Sequence, residues 1–566
     1  MPTQGDGITA ARALSNQSSR GGYNVMEGET AMTTRTTDPD SPPLGLAAPA
    51  NSAAPRVVAA VDMGASAIRL VVAELRPGEP PRILEQASRG VLLGKDTFTH
   101  GRIGPATLEA TLKALEGFRR IMDTYGVVHY RAIATSAVRE AANRDGFLDR
   151  VRLRTGLDVE VVDGSEENRL SYVAVREALA GHEAMTTGET LLAEVGGGSA
   201  DLSFLRAGEP VHSGTYPLGA IRLRQSLASW HGSHEHRVRL LRRHIHNIVE
   251  DIAREMPLAQ ARHFIALGGD VRFAAARLNP DARDAALQTV TREAFLALCD
   301  EMTVRDVDDL VENEHLPLAQ AETLVPALLA YRELLCETAA ERLTVVDTSL
   351  RAGLLIDLAR EEAGHGIDDF GPQVLASAAA LGEKYRFDAR HARNVAHLAV
   401  RLFDEMRGEH GLANRDRLLL EVAALLHDIG NFVSLRGHHK HSLYLISSSE
   451  IFGLSQEEMA FVANVARYHR RAMPQRSHLG YAALDRQDRV TVDKLAALLR
   501  LANALDADHL QKVVDLRVER GDEAWLIEVD GAGDLTIERL VAQARSDLFS
   551  EVFGRRVTLR EAAGPI

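Results

Sequence analysis

Residues 57–72, VVAAVDMGASAIRLVV, and residues 191–205, LLAEVGGGSADLSFL, are the same short piece twice. Each is an apolar run, an acid, any residue, a glycine, small residues and a second apolar run. Asp62-Met63-Gly64 aligns with Glu194-Val195-Gly196. The pattern predicts a β-hairpin in each copy, with the acid at the end of the first strand. Glycine and other small residues, such as Gly64 and Ser66, let backbone N–H groups approach a phosphate. A carboxylate beside them, such as Asp62, can hold the cation that the phosphate brings. A lone glycine hairpin is usually only a turn. The repetition predicts two turns facing across a cleft and gripping a phosphorylated substrate from both sides.

A chain of 566 residues is too long for one core and suggests three or four domains. Its 45% hydrophobic and 25% charged content is that of an ordinary soluble globular protein. No apolar run reaches the length of a membrane span. Residues 1–55 are rich in Gly, Ser, Thr, Ala and Pro and read as a disordered tail without a secretion-signal pattern. Cys299 and Cys336 each sit in a helix-like apolar pattern. Two buried thiols are expected, which fits a reducing cytoplasm. A net charge of −14 argues against general nucleic-acid binding, while leaving room for a local basic cleft on an anionic chain.

Along the chain, residues 56–185 alternate strand-like and helix-like segments. RVVAAVD, AIRLVVAEL and PRILEQASRGVLL read as strands, and Pro105–Tyr125 as a helix. A second α/β unit covers 186–362 and includes HFIALGGDVR (263–272), whose Gly268 and Gly269 are further candidate phosphate contacts. Residues 363–510 read as almost entirely helical. Residues 511–566 return to short strands with a helix, a small α/β cap.

Two loops carry chemistry. ATSAVREAANRDGFL (134–148) follows a strand and opens a helix, with Thr135 and Ser136 as N-cap residues and Arg139 in the first turn. A helix N-terminus with an arginine can bind phosphate, and can equally be a capped helix with a solvated arginine. DGSEENRLSY (163–172) places Glu166 and Glu167 where a helix begins. Either could take a proton from an attacking water, or both could be acids set favourably on a helix dipole.

These pieces, in this order, resemble the exopolyphosphatase and guanosine pentaphosphate phosphatase family, over about residues 56–510. The resemblance rests on VDMGASAIRL, ATSAVREAANRDGFL, DGSEENRL, EVGGGSADLSF, ALGGDVR and LLHDIGNFVSLRGHHKHSLYLI. It implies two actin-like lobes, of the kind found in sugar kinases and Hsp70, with a cleft between them. It also implies Mg²⁺-dependent hydrolysis of a terminal phosphoanhydride and a possible homodimer. By that resemblance Glu167 is the catalytic base and Arg139 the phosphate-binding arginine. Glu194 and Asp201 hold metal and water, and Gly196, Gly197, Gly198 and Ser199 form the phosphate cradle. The chain departs from the family in three places. Ala65-Ser66-Ala67 replaces Ser-Asn-Ser. Glu194 and Asp201 stand where the family has Asp and Glu. Asp270 replaces Thr. Weakened activity or altered specificity is expected from these exchanges.

In the helical region, His391 and the pair His427-Asp428 resemble the HD-type metal phosphohydrolase fold. Ala502-Asn503 stands where that fold has Ala-Asp, and a neutral amide is a poor replacement for an anionic ligand. These residues are therefore expected to be non-catalytic. GHHKHS (437–442) and YHRR (468–471) are expected to add a basic wall for a polyphosphate chain. The expected function is an exopolyphosphatase. The alternatives are a guanosine pentaphosphate phosphohydrolase and a weakened sensor that binds polyphosphate or guanosine tetraphosphate without turnover.

Overall fold

The apolar runs around each glycine turn form the central hairpins of two sheets. The computed structural model describes residues 55–562, except 229–231, 284, 364–369 and 532. Apart from Pro55, the expected tail lies outside the described residues.

The first sheet holds β1 (Arg56–Met63), β2 (Ala67–Leu75), β3 (Arg82–Gly90), β4 (His129–Ala134) and β5 (Glu160–Val161). Their order is β3-β2-β1-β4-β5. β1 pairs antiparallel with β2, setting Asp62 opposite Arg69, and parallel with β4. The second sheet holds β6 (Glu189–Val195), β7 (Ala200–Arg206), β8 (Glu209–Tyr216), β9 (His263–Leu267), β10 (Leu287–Thr291) and β11 (Arg342–Val346). Its order is β10-β11-β9-β6-β7-β8. From the other end, β8-β7-β6-β9-β11 repeats the first sheet's order, including the antiparallel hairpin and the parallel neighbours. The repeat of fifteen or so residues seen in the sequence is thus the centre of a repeated lobe.

Alternation decides what each face of β1 buries. Ala59, Val61 and Met63 pack with Leu112, Leu115 and Phe118 of helix Pro105–Thr124. Val58 and Ala60 pack with Leu354, Leu355 and Leu358 of helix Leu350–Glu362. Each large apolar side chain taken fully out of water contributes about 1.5–3 kcal/mol. Helix Leu350–Glu362 comes from the 186–362 segment yet covers the first sheet, so the chain crosses back between the lobes. It also lies against helix Gly164–Ala178: a Cβ on Gly353 would stand 2.2 Å from the Leu170 carbonyl oxygen.

One local expectation fails. The run ending in VLL reads as strand, but β3 stops at Gly90 and Leu93–His100 is helical. Leu93 and Gly94 are buried there against the first lobe, so packing overrides the apolar run.

The helical region, Gly371–Ala504, packs around residues such as Leu398, Leu420, Val462 and Leu498. It shares this core with the lobes. Tyr172 meets Phe452 and Phe370 edge-on, at centroid distances of 5.3 and 6.1 Å. β12 (Val513–Arg520), β13 (Ala524–Gly531) and β14 (Arg556–Glu561) form the third sheet. Helices Thr536–Arg545 and Asp547–Phe553 accompany it. Both cysteines are free, Cys299 buried and Cys336 partly so. Among the described residues no helix is long and apolar enough to cross a membrane.

Candidate active site

Helix Gly164–Ala178 positions the paired acids Glu166 and Glu167. Its N-cap, Asp163, accepts from the Glu166 amide at 3.0 Å with Oδ1. Its Oδ2 accepts from the Gln456 amide of the helical region at 2.7 Å. With the first turn fixed, the two acids part. Glu166 pairs with Arg169 at 2.6 Å and with Arg131 at 3.3 Å. Glu167 turns into a cleft of about 440 Å³ between the lobes.

Arg139 stands behind Glu167. Its Nη1 donates to Glu167 Oε1 at 2.5 Å and to the Val162 carbonyl at 2.6 Å. It ends the single turn Ser136–Arg139 instead of opening a helix, and Thr135 makes no side-chain cap. Its guanidinium is therefore paired with Glu167 and is not among the groups lining the cleft. Burial pushes the Glu167 carboxyl up to about 7; Arg139 pulls it down, and Asp62 and Glu194 add to the rise.

The other predicted acids gather around it. Glu194 and Asp201 face each other across β6 and β7. The Ser171 hydroxyl donates to Glu194 Oε2 at 2.7 Å, and the Thr215 hydroxyl to Asp201 Oδ1 at 2.8 Å. Burial is the main cause raising both carboxyls, Asp201 well above its ordinary range. Asp62 lies 3.3 Å from Arg351 and 3.6 Å from Arg69.

The two glycine turns close in the same way. The Gly64 amide donates to the Ala67 carbonyl at 3.1 Å, and the Gly196 amide to the Ser199 carbonyl at 2.9 Å. They also meet across the lobes. A Cβ on Gly197 would stand 2.8 Å from Ser66 Oγ, and one on Gly198 2.3 Å from Ser136 Oγ. Gly268, at φ +116°, turns β9 into helix Gly269–Leu278. Gly64, Ser66, Gly196, Gly197, Gly198, Ser199, Gly268 and Gly269 all line the cleft with Asp62, Glu167, Glu194 and Asp201.

Oxygen donors of this kind suit Mg²⁺, which prefers one or two carboxylates shared with substrate phosphates. The cleft fits that mode. Among the described residues, groups of three or more ligand atoms within 4.8 Å of one another occur only in the helical region, so the cleft acids form no closed cage. The elevated carboxyls point the same way, since a cation would relieve their crowding.

Sequence reasoning missed Arg69, Arg272 and Arg351, which also line the cleft. The hairpin register alone could have found Arg69, opposite Asp62. Asp270 lines it too, and burial pushes its carboxyl up to about 6.

Of the helical-region residues expected to form a basic wall, His438 and His469 turn inward, while Lys440 and Arg471 are exposed. His438 is buried, and its Nε2 lies 3.2 Å from Asp428 Oδ1. His469 is buried with Nε2 at 3.3 Å from the same oxygen. Both are drawn inward by Asp428, where the sequence suggested a solvent-facing path. His391 and His427 are buried beside them. Asn503 donates to the His469 carbonyl at 3.5 Å.

The chain matches the Ppx/GppA phosphatase family over residues 71–362, more than half its length. It also matches Ppx/GppA phosphatase domain III over residues 375–539. The chain belongs to the Ppx/GppA phosphatase family.

Ppx/GppA relatives carry two activity names. The chain is 28% identical over 313 residues to exopolyphosphatase 1 of Mycobacterium leprae, covering 54% of this chain and 89% of that protein. It is 22% identical over 426 residues to the guanosine-5'-triphosphate,3'-diphosphate pyrophosphatase of Vibrio parahaemolyticus, covering 73% of this chain and 80% of the other. In fold it is similar to an exopolyphosphatase from Cytophaga hutchinsonii, with a TM-score of 0.50 and 22% identity. That likeness spans 55% of this chain and 99% of the other. The family match thus covers most of the two α/β lobes, and the domain III match covers most of the helical region and the first two strands of the third sheet.

Proposed function

We propose that the chain hydrolyses the terminal phosphoanhydride of inorganic polyphosphate, with Glu167 as general base. The observation that carries this is the Glu167 carboxyl itself. It is buried between two facing glycine turns and poised near neutrality at about 7. A base with that affinity is about half unprotonated at neutral pH and basic enough to take a proton from the attacking water.

The anhydride is already activated, so the protein needs only to place water and neutralise charge. The turns at Gly64 and Gly196 and the guanidiniums of Arg69, Arg272 and Arg351 receive the phosphate oxygens. A water beside the terminal phosphorus forms the new P–O bond and passes its proton to Glu167. The anhydride P–O bond breaks, and the shortened chain leaves on the former bridging oxygen. Arg139 fixes the Glu167 carboxylate and favours its charged form. Mg²⁺, held by Asp62, Glu194 and Asp201, would neutralise phosphate charge.

The lining supports polyphosphate over guanosine pentaphosphate. Among the described residues that line the cleft there is no aromatic ring to stack on a guanine. The discriminating assay is phosphate release by the full chain with Mg²⁺ from long-chain polyphosphate and from guanosine pentaphosphate. Release from polyphosphate is expected. Release from guanosine pentaphosphate alone would favour the nucleotide activity, and tight binding without release the sensor reading.

A further inference from the structure

A second cluster lies outside the cleft, in domain III, and the activity proposed above does not use it. His391, His427, His438 and His469 surround Asp428. Each ring is oriented by a hydrogen bond from Nδ1. His427 Nδ1 donates to the Ala424 carbonyl at 2.7 Å and His469 Nδ1 to the Ala466 carbonyl at 2.6 Å. His438 Nδ1 donates to the Leu435 carbonyl at 3.1 Å. His391 Nδ1 donates to Asp506 Oδ2 at 2.8 Å. Carbonyl and carboxylate oxygens only accept, so all four protons sit on Nδ1.

That assignment leaves four Nε2 lone pairs. The Nε2 atoms of His438 and His469 stand 3.1 Å apart. Those of His427, His438 and His469 lie 3.7, 3.2 and 3.3 Å from Asp428 Oδ1. His391 Nε2, His427 Nε2 and Asp428 Oδ1 are buried with no hydrogen-bond partner. Lone pairs aimed at one another and at a carboxylate repel unless a cation lies between them. Several buried imidazoliums would supply that charge only at a heavy desolvation cost. One metal ion supplies it once. Carbonyl or carboxylate partners on the far nitrogen are also how metal-bound histidines are held.

We propose that His391, His427, Asp428, His438 and His469 bind a divalent transition-metal ion. Imidazole-rich sites with one carboxylate suit Zn²⁺, Fe²⁺ or Co²⁺ better than Mg²⁺. The substitution at Asn503 does not empty the site, because His438 and His469 complete the donor set. Arg470 and Arg471 follow His469 directly, and Arg471 is exposed. Two arginines thus adjoin a metal ligand in the chain, and by charge complementarity phosphate is the anion that the ion should accept.

The test uses the full chain, stripped with chelator, reloaded separately with Zn²⁺, Fe²⁺ or Co²⁺, and desalted. About one ion or more per chain should remain with at least one metal. His427→Ala and Asp428→Asn should abolish retention with circular dichroism unchanged. Asp506→Asn, which alters the carboxylate that His391 Nδ1 shares with Gln511 and replaces none of the five ligands, should weaken it roughly tenfold or more. The Co²⁺ ligand-field spectrum of the wild type reads the site even if a variant fails to fold, and inorganic phosphate should shift it. Retention below about a tenth of an ion for every metal would overturn the site. So would unchanged retention in both folded ligand variants. A Co²⁺ spectrum indifferent to phosphate would overturn the anion assignment.

Discussion

Replacing Glu167 with glutamine should stabilise the folded chain at alkaline pH. Burial raises the Glu167 carboxyl from its ordinary 4.5 to about 7, despite the arginine beside it. That preference for the neutral form is worth roughly 3 kcal/mol. Glutamine keeps the shape and is neutral at every pH. The sign follows from linkage: an acid raised in the fold contributes stability fully present below its unfolded value and lost as pH rises through the folded one. The wild type should match the variant near pH 4.5 and fall behind through pH 7, by roughly 3 kcal/mol at pH 8. For a lobe of this size that is a difference in melting temperature on the order of 5–10 °C. Thermal unfolding of both proteins from pH 5 to pH 8 measures it. A gap that stays constant with pH, or a variant less stable at pH 8, would refute the placement of a strained carboxylate at Glu167.

Turnover should carry the same titration: kcat/KM should rise with pH through about 7, because the base must be unprotonated to accept a proton. Arg139→Ala removes the charge that pulls this carboxyl down, so the midpoint should move higher. Phosphate release at pH 7 should then fall roughly tenfold, with recovery at higher pH; an unmoved midpoint would separate Arg139 from the base. Gly198→Ala puts a methyl where Ser136 Oγ stands 2.3 Å away, forcing the two lobes apart. Activity should drop on the order of a hundredfold with secondary structure intact by circular dichroism. Truncation after about residue 362 uncovers Tyr172, Val173 and Val175, which share a core with domain III. Light scattering should show aggregation, not a free-standing two-lobed enzyme.

The hairpins were legible because a strand's period of two and a glycine turn are local. The alignment of Asp62 with Glu194 in the sequence became the register of two equivalent strand pairs. The cleft followed from that repeat. The residues alone leave Glu166 and Glu167 equivalent, the family resemblance selects Glu167, and the structure caps the helix with Asp163 and turns Glu166 to Arg169. Arg351 was not legible. It reaches Asp62 across 289 residues of chain, and no pattern along the sequence encodes such a contact. The role of His438 was misread for a related reason: beside Lys440 it looks like part of a basic surface. Only the packing of its helix, His438–Ser447, against helix Gln456–Arg467 sets it facing His469 and Asp428. Arg139 illustrates a third case: the sequence brings it to the site, and only the fold supplies the Glu167 carboxylate it pairs with.

The most direct measurement is phosphate release from long-chain polyphosphate by the wild type and Glu167→Gln, with Mg²⁺ and with polyphosphate binding followed in parallel by calorimetry. Loss of the base should slow release by roughly two to four orders of magnitude while binding persists. Release by the variant within a few-fold of wild type would contradict the account, because it would place the proton acceptor somewhere other than Glu167.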